Sequence, residues 1–212
     1  MSPPDDDGTG LFVLVGGWPG SGKTTLATAI ASELGLPILA KDDIKEVLAD
    51  ELGRPDTVEA SQRLGRAAVM VMLRIARSCP SAVLDSTWFD YTAPLVAELR
   101  GVLVEVSCVV PLDIARARYH ARAAGRHAGH LDHLRTGDEL WGEPSRPLGM
   151  DCTLEVDTSR PINAGEIATD IRRAATSASA AGVSTAGSRR AVARQARPGV
   201  RPGGSPARDQ PG

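Results

Sequence analysis

One glycine-rich loop constrains this 212-residue chain more than any other stretch: residues 16–27 read GGWPGSGKTTLA. Gly17-x-x-x-x-Gly22-Lys23-Thr24 completes a phosphate-binding loop pattern, or P-loop. Its flanks suit that role. Leu11–Val15, LFVLV, is an apolar run of strand length, and beyond the loop Leu26, Ala27, Ile30, Ala31 and Leu34 recur at helical spacing until Gly35. In a strand–loop–helix unit, successive backbone N–H groups converge on one anion, and the helix N-terminus adds partial positive charge. Gly17, Gly20, Ser21, Gly22, Lys23, Thr24 and Thr25 are therefore assigned to nucleotide phosphates. Lys23 reaches the terminal phosphates, and the Thr24 hydroxyl joins the shell of a Mg²⁺ ion.

The remainder alternates strand and helix patterns. Leu36–Ala40 reads as a second strand, followed by a helix capped by Asp42 or Asp43 and running to about Leu52. Val58–Arg77 carries a helical stripe of Leu64, Ala67, Ala68, Val71, Met72 and Ile75. Then come a strand, SAVLD, ending on Asp85, a helix over 93–100, the long strand GVLVEVSCVV and an Arg-rich helix over 112–124. CTLEVDT is the last strand and 164–175 the last helix. The order predicts a mostly parallel five-stranded sheet covered by helices on both faces. Ligands then sit at the carboxyl ends of the strands, where Gly17, Asp42, Asp85, Pro111 and Thr158 fall.

Composition narrows the rest. From about Thr176 the sequence is rich in Ala, Ser, Gly, Pro and Arg without an aromatic residue, so 177–212 is expected to be a disordered tail, with six arginines against one acid. Residues 1–10 are expected to be a loose leader, leaving one domain over 11–176. No run approaches a membrane span, the N-terminus is acidic rather than basic, and the three cysteines are isolated, Cys108 and Cys152 in or beside strand-like runs. A reduced, cytoplasmic protein is expected. His127, His130 and His133 have no cysteine nearby; one of them is expected to contact substrate or solvent, and a metal site is not expected. Of the few aromatic residues, Trp18 and Trp88 lie at the predicted cleft, where either could stack on an acceptor ring or pack against a helix.

Absences count against two classes, a GTPase and a hydrolysing ATPase. An Asn-Lys-x-Asp guanine-reading element is missing, and Asp85 is followed by Ser86 and Thr87 rather than by the glutamate that orients water in hydrolysing ATPases. What is present is Lys41-Asp42-Asp43-Ile44-Lys45, then LDST at 84–87, then RARYHARAAGRHAGH at 116–130. Together with the loop these resemble the small P-loop kinase and phosphotransferase group, an AAA-type ATPase domain of the small-kinase kind. Polynucleotide 5′-kinases, zeta-toxin-type kinases and chloramphenicol phosphotransferase belong to it. The resemblance covers residues 11–175.

It implies a P-loop three-layer sandwich with an Arg-rich helical lid, using ATP and Mg²⁺. It implies that Asp42 accepts the proton of an attacking hydroxyl, while Lys23, Arg122 and Arg126 neutralise the transferring phosphate and Arg118 touches the nucleotide. Asp85 would lie near Mg²⁺ and acceptor, with Trp88 beside them. Lys45 stands where polynucleotide kinases carry an arginine for a substrate phosphate. Arg118, Arg122 and Arg126 would share a helix face at i, i+4 and i+8 if the helix continued through Gly125. The expected activity is transfer of the γ-phosphate to a hydroxyl of a small molecule, by a monomer or dimer. Alternatives are a polynucleotide or nucleoside 5′-hydroxyl kinase and a non-catalytic ATP sensor. Nucleic acid is not favoured, because residues 1–176 are net acidic, and no membrane partner is expected.

Overall fold

The computed structural model describes residues 10–123, 125–141 and 146–192, with side chains as far as Ala180. The leader at 1–9 and the terminal stretch 193–212, both expected to be disordered, lie outside the described residues. The strands are β1 (Gly10–Gly16), β2 (Ile38–Ala40), β3 (Ala82–Asp85), β4 (Gly101–Val109) and β5 (Cys152–Asp157). The helices are α1 (Lys23–Leu34), α2 (Lys41–Leu52), α3 (Val58–Ala76), α4 (Ala93–Val96), α5 (Leu112–Ala123), α6 (Gly137–Trp141) and α7 (Ala164–Val192).

All five strands are parallel, in the order β2-β3-β1-β4-β5. Register sets up the site. Val15 lies opposite Asp85, and Asp85 opposite Ala40, so β1, β3 and β2 end level with one another. The residues that follow, the phosphate loop, Ser86 and Lys41, therefore leave the sheet side by side.

β1 is buried on both faces, as the central strand of a parallel sheet must be. Phe12 and Leu14 pack with Val69, Met72, Leu73 and Ala76 of α3 and with Trp88 and Val96. Val13 and Val15 alternate to the opposite side, against Leu26, Ala27, Ile30 and Ala31 of α1 and Ile171 of α7. Each of these larger side chains contributes about 1.5–3 kcal/mol when fully buried. The phosphate loop is thus strung between two elements that the core immobilises.

Several sequence expectations shift. The buried face of α3 runs through Ser61, Ala68, Val69, Met72, Leu73 and Ala76, whereas Val71 and Ile75 face solvent. Two adjacent apolar stripes compete on this helix, and the sheet selected the one containing Val69 and Leu73. The helix expected at 93–100 is a 3₁₀ turn at Asp90–Thr92 followed by only four residues of α4. Neither Asp42 nor Asp43 caps α2: the N-cap is Ala40, and both acids occupy the first turn, where negative charge favours the helix N-terminus. α7 passes its expected end at Ala175 and runs to Val192. Alanine is the strongest helix former, and no proline interrupts the stretch before Pro198. The chain divides into two units, Met1–Ser179 and Ala180–Gly212, and the described backbone of the second is helical. Among the described residues no helix is long and apolar enough to cross a membrane.

Candidate active site

The phosphate loop takes its shape from backbone. Gly20 has φ +84°, and a Cβ there would fall 2.0 Å from the Ala115 carbonyl oxygen of α5. Gly22, at φ 85°, is the left-handed N-cap of α1, a conformation that costs an L side chain energy and glycine nothing. The Ser21 N–H donates to Trp18 O at 3.0 Å. Three further elements brace the loop. The Thr158 hydroxyl donates to Ser21 O at 2.6 Å, and Arg118 Nη1 donates to Thr158 O at 3.0 Å. The Trp141 indole N–H of α6 reaches Pro19 O at 3.4 Å. Arg118 Nη1 also lies within 4.0 Å of where a Gly22 Cβ would stand, which puts it on the rim of the loop.

Lys23 opens α1 below the loop. Burial lowers its ammonium pKa, opposed by the fields of Asp85 and Asp42, and Lys41 and Arg122 act in the same direction as burial. The Thr24 hydroxyl is near enough to Asp85 to favour its ionised carboxylate. Asp85 itself is 4% exposed, its Oδ1 is buried without a hydrogen-bond partner, and burial raises its pKa. A buried carboxylate oxygen left unpartnered is costly unless something positive comes to it. Thr24 and Asp85, hard oxygen donors beside a phosphate loop, fit a Mg²⁺ ion.

Asp42 sits on the first turn of α2, paired with the Lys41 ammonium, and its Oδ2 accepts from Arg126 Nη2 at 3.3 Å. Burial alone would push its carboxyl up. The charges of Lys41, Lys23 and His130 prevail and hold it well below the usual carboxylate range. Asp43 is exposed; partial burial, Glu46 and Asp42 raise its pKa. Lys45, only 5% exposed, donates from Nζ to Ser61 Oγ at 2.7 Å, and that hydroxyl donates on to Gly129 O at 2.9 Å. Burial, with the repulsion of Lys41, brings the Lys45 ammonium down to about 8.

The arginine lid differs from expectation. α5 ends at Ala123, so Arg118 and Arg122 share a helix face but Arg126 does not. Arg126 instead leaves the turn after the helix and is held by Asp132 and Asp42. Arg122 is close enough to influence Lys23 and feels the field of Asp42, and its guanidinium lies 6.0 Å from the Tyr119 ring centre. Trp88 is 5% exposed in the core, its indole N–H donating to Val15 O at 3.1 Å. Of the two readings open for Trp88, packing describes its place here; stacking on an acceptor would require it to leave the core. His127 and His130 meet α2 carboxylates, Asp50 at 3.1 Å and Glu46 at 2.9 Å.

Sequence reasoning placed Thr158 at a ligand-binding strand end but missed Tyr119, Asp132 and Trp141 as parts of the site. Those three reach the site through contacts set by tertiary packing.

The AAA domain family profile matches residues 12–137. The chain is 31% identical to a candidate kinase from Chloroflexus aurantiacus J-10-fl, with a TM-score of 0.69 over 78% of this chain and 98% of that one. An uncharacterized protein of Mycobacterium tuberculosis H37Rv is 35% identical over 166 residues, 71% of this chain. The chain spans only 32% of that relative's length. The APS kinase of M. tuberculosis is similar at 24% identity with a TM-score of 0.48, covering 78% of this chain and 97% of that one.

Proposed function

The chain belongs to the AAA domain family of small P-loop kinases, and from that premise we propose that it is an ATP- and Mg²⁺-dependent phosphotransferase acting on a hydroxyl of a small molecule. The observation that carries this reading is the convergence of Lys23, Asp42, Asp85 and Arg126 at the level ends of β1, β2 and β3. In the proposed reaction the acceptor oxygen forms a bond to the γ-phosphorus as the bond to the bridging oxygen breaks, ADP leaves, and the hydroxyl proton passes to Asp42. Such transfer is loose, so positioning and charge neutralisation carry most of the catalysis. Lys23 and Arg126, with Arg122, neutralise the oxygens, and Arg118 steadies the nucleotide from the loop rim. Thr24 and Asp85 would hold Mg²⁺, which supplies further neutralisation when bound.

Asp42 is a weak base in the resting protein, because cations hold it ionised. That suits a late proton transfer, made only once the attacking oxygen has become acidic. Lys45 feels the field of Asp42 and is the candidate for orienting the acceptor, a role that requires its ammonium to exchange the bond to Ser61 Oγ.

A polynucleotide acceptor is disfavoured, because residues 1–176 are net acidic, whereas a long phosphate footprint needs a basic surface. A pure ATP sensor would have no use for Asp42 among cations. The test is transfer of labelled γ-phosphate from ATP to a panel of metabolites, antibiotics, nucleotide sugars and 5′-hydroxyl oligonucleotides. Label on a small alcohol supports the reading. Label on the oligonucleotide alone, or ATP binding with no transfer to any acceptor, opposes it.

A further inference from the structure

The lid arginine is held in an uneven way. Arg126 Nη1 donates to both oxygens of Asp132, each at 2.8 Å, whereas Nη2 reaches Asp42 at 3.3 Å. Tyr119, 2% exposed on α5, donates its hydroxyl to the same Asp132 at 2.7 Å. The Arg126 guanidinium also lies 5.7 Å from the Tyr119 ring centre. Tyr119, Asp132 and Arg126 thus form a closed set in which every member touches the other two. The backbone is strained to build it: Leu131, immediately before Asp132, has φ 53°, the only positive φ at a non-glycine residue among those described. A bulky residue in the left-handed region needs its surroundings to hold it there.

We infer that Asp132, oriented by Tyr119, is a positioning residue that fixes one edge of Arg126 so that the other edge is handed from Asp42 to the transferring phosphoryl group. The inference rests on the kinase reading above, and neither Asp132 nor Tyr119 belongs to the phosphate loop or to the acidic pair. All three contacts are charge-assisted, and the shorter bonds of that kind are the stronger, so the two 2.8 Å contacts to Asp132 persist while the single 3.3 Å contact to Asp42 is the one exchanged. The exchange has a second effect. It removes a cation from Asp42 Oδ2, leaving that oxygen open to the acceptor hydroxyl as the phosphate becomes clamped.

The test compares the full-length protein's affinity for Mg·ADP with that for Mg·ADP plus aluminium fluoride, which stands in for the phosphoryl group in flight. Calorimetry should give wild-type protein a clear preference for the aluminium fluoride complex and Arg126→Ala a preference lowered by more than about tenfold, the remainder resting on Lys23 and Arg122. Asp132→Asn should lower that preference about tenfold, as for loss of a charge-assisted bond, with Mg·ADP affinity unchanged. Tyr119→Phe should move in the same direction by less, and Asp132→Asn should add nothing in an Arg126→Ala background. If Asp132→Asn does not fold by thermal melt, Tyr119→Phe decides. Folded variants that keep the full preference while Arg126→Ala lowers it would overturn the inference and leave the kinase reading standing. An Arg126→Ala protein that keeps the full preference, or a wild type without one, would instead overturn the lid reading on which it rests.

Discussion

The phosphate loop and the lid beside it are built on opposite principles. The loop is backbone geometry: Gly20 and Gly22 at positive φ, braced by Ala115 O, Thr158 and Trp141 and strung between two core-buried elements. The lid is side-chain charge, with Arg126 held by Asp132 and Asp42, His127 by Asp50 and His130 by Glu46. An anion arriving at the loop finds donors already aimed. An anion arriving at the lid must displace a carboxylate. The first arrangement gives affinity without reorganisation, and the second gives a response to what has bound.

The largest effects should come from breaking the loop. Lys23→Ala removes its side-chain cation, and turnover should fall about 10³-fold or more, as for loss of one key electrostatic group. Gly20→Ala should do comparable harm by a different route, because its Cβ would enter the Ala115 carbonyl and the loop cannot keep its shape. Calorimetry with Mg·ATP checks both. Unchanged ATP affinity in Gly20→Ala would mean the loop is less rigid than this contrast requires.

Buried charge on the lid side should show as pH dependence. Lys45 has a pKa of about 8 in the folded chain against about 10.4 when unfolded. Between those values the unfolded state binds more protons, so stability rises with pH across that window, and below about 8 the penalty for the buried charge is fully present. The rise is bounded at about 3 kcal/mol. Melting temperatures from pH 7.5 to 10.5 should climb in wild type relative to Lys45→Met. Parallel curves would show that Lys45 is solvated.

A smaller effect sharpens the boundary between core and cleft. Trp88→Phe deletes the hydrogen bond to Val15 O and should cost about 1 kcal/mol in denaturant melts, with ATP affinity unchanged. A weaker acceptor interaction at unaltered stability would move Trp88 out of the core and into the cleft.

The same contrast explains what could be read from the sequence. Gly17 to Thr25, Leu11–Val15 and the alternation of strands announce themselves, because loop and sheet depend on local residue types and short periods. Asp42 and Asp85 followed from their places after short strands. Asp132 and Tyr119 did not, because an aspartate six residues past an arginine signals nothing until the chain turns at Leu131. The face of α3 was misjudged for a related reason: two stripes were equally apolar, and only the sheet could choose. Arg126, implied as a lid arginine by the resemblance, was expected on a helix that ends three residues earlier.

The central claim, that a base among cations serves phosphoryl transfer, is tested most directly by Asp42→Asn beside Asp43→Asn. Both keep shape, and only the first removes the carboxylate paired with Lys41 and Arg126. With an acceptor from the labelled-ATP panel, kcat for Asp42→Asn should fall about 10²–10⁴-fold while ATP affinity stays near wild type or tightens slightly. Asp43→Asn, at an exposed carboxylate on which no cation among the described residues acts, should change kcat by less than about threefold. A severe Asp43→Asn with a mild Asp42→Asn would move the base by one residue, and full activity in both would contradict the account.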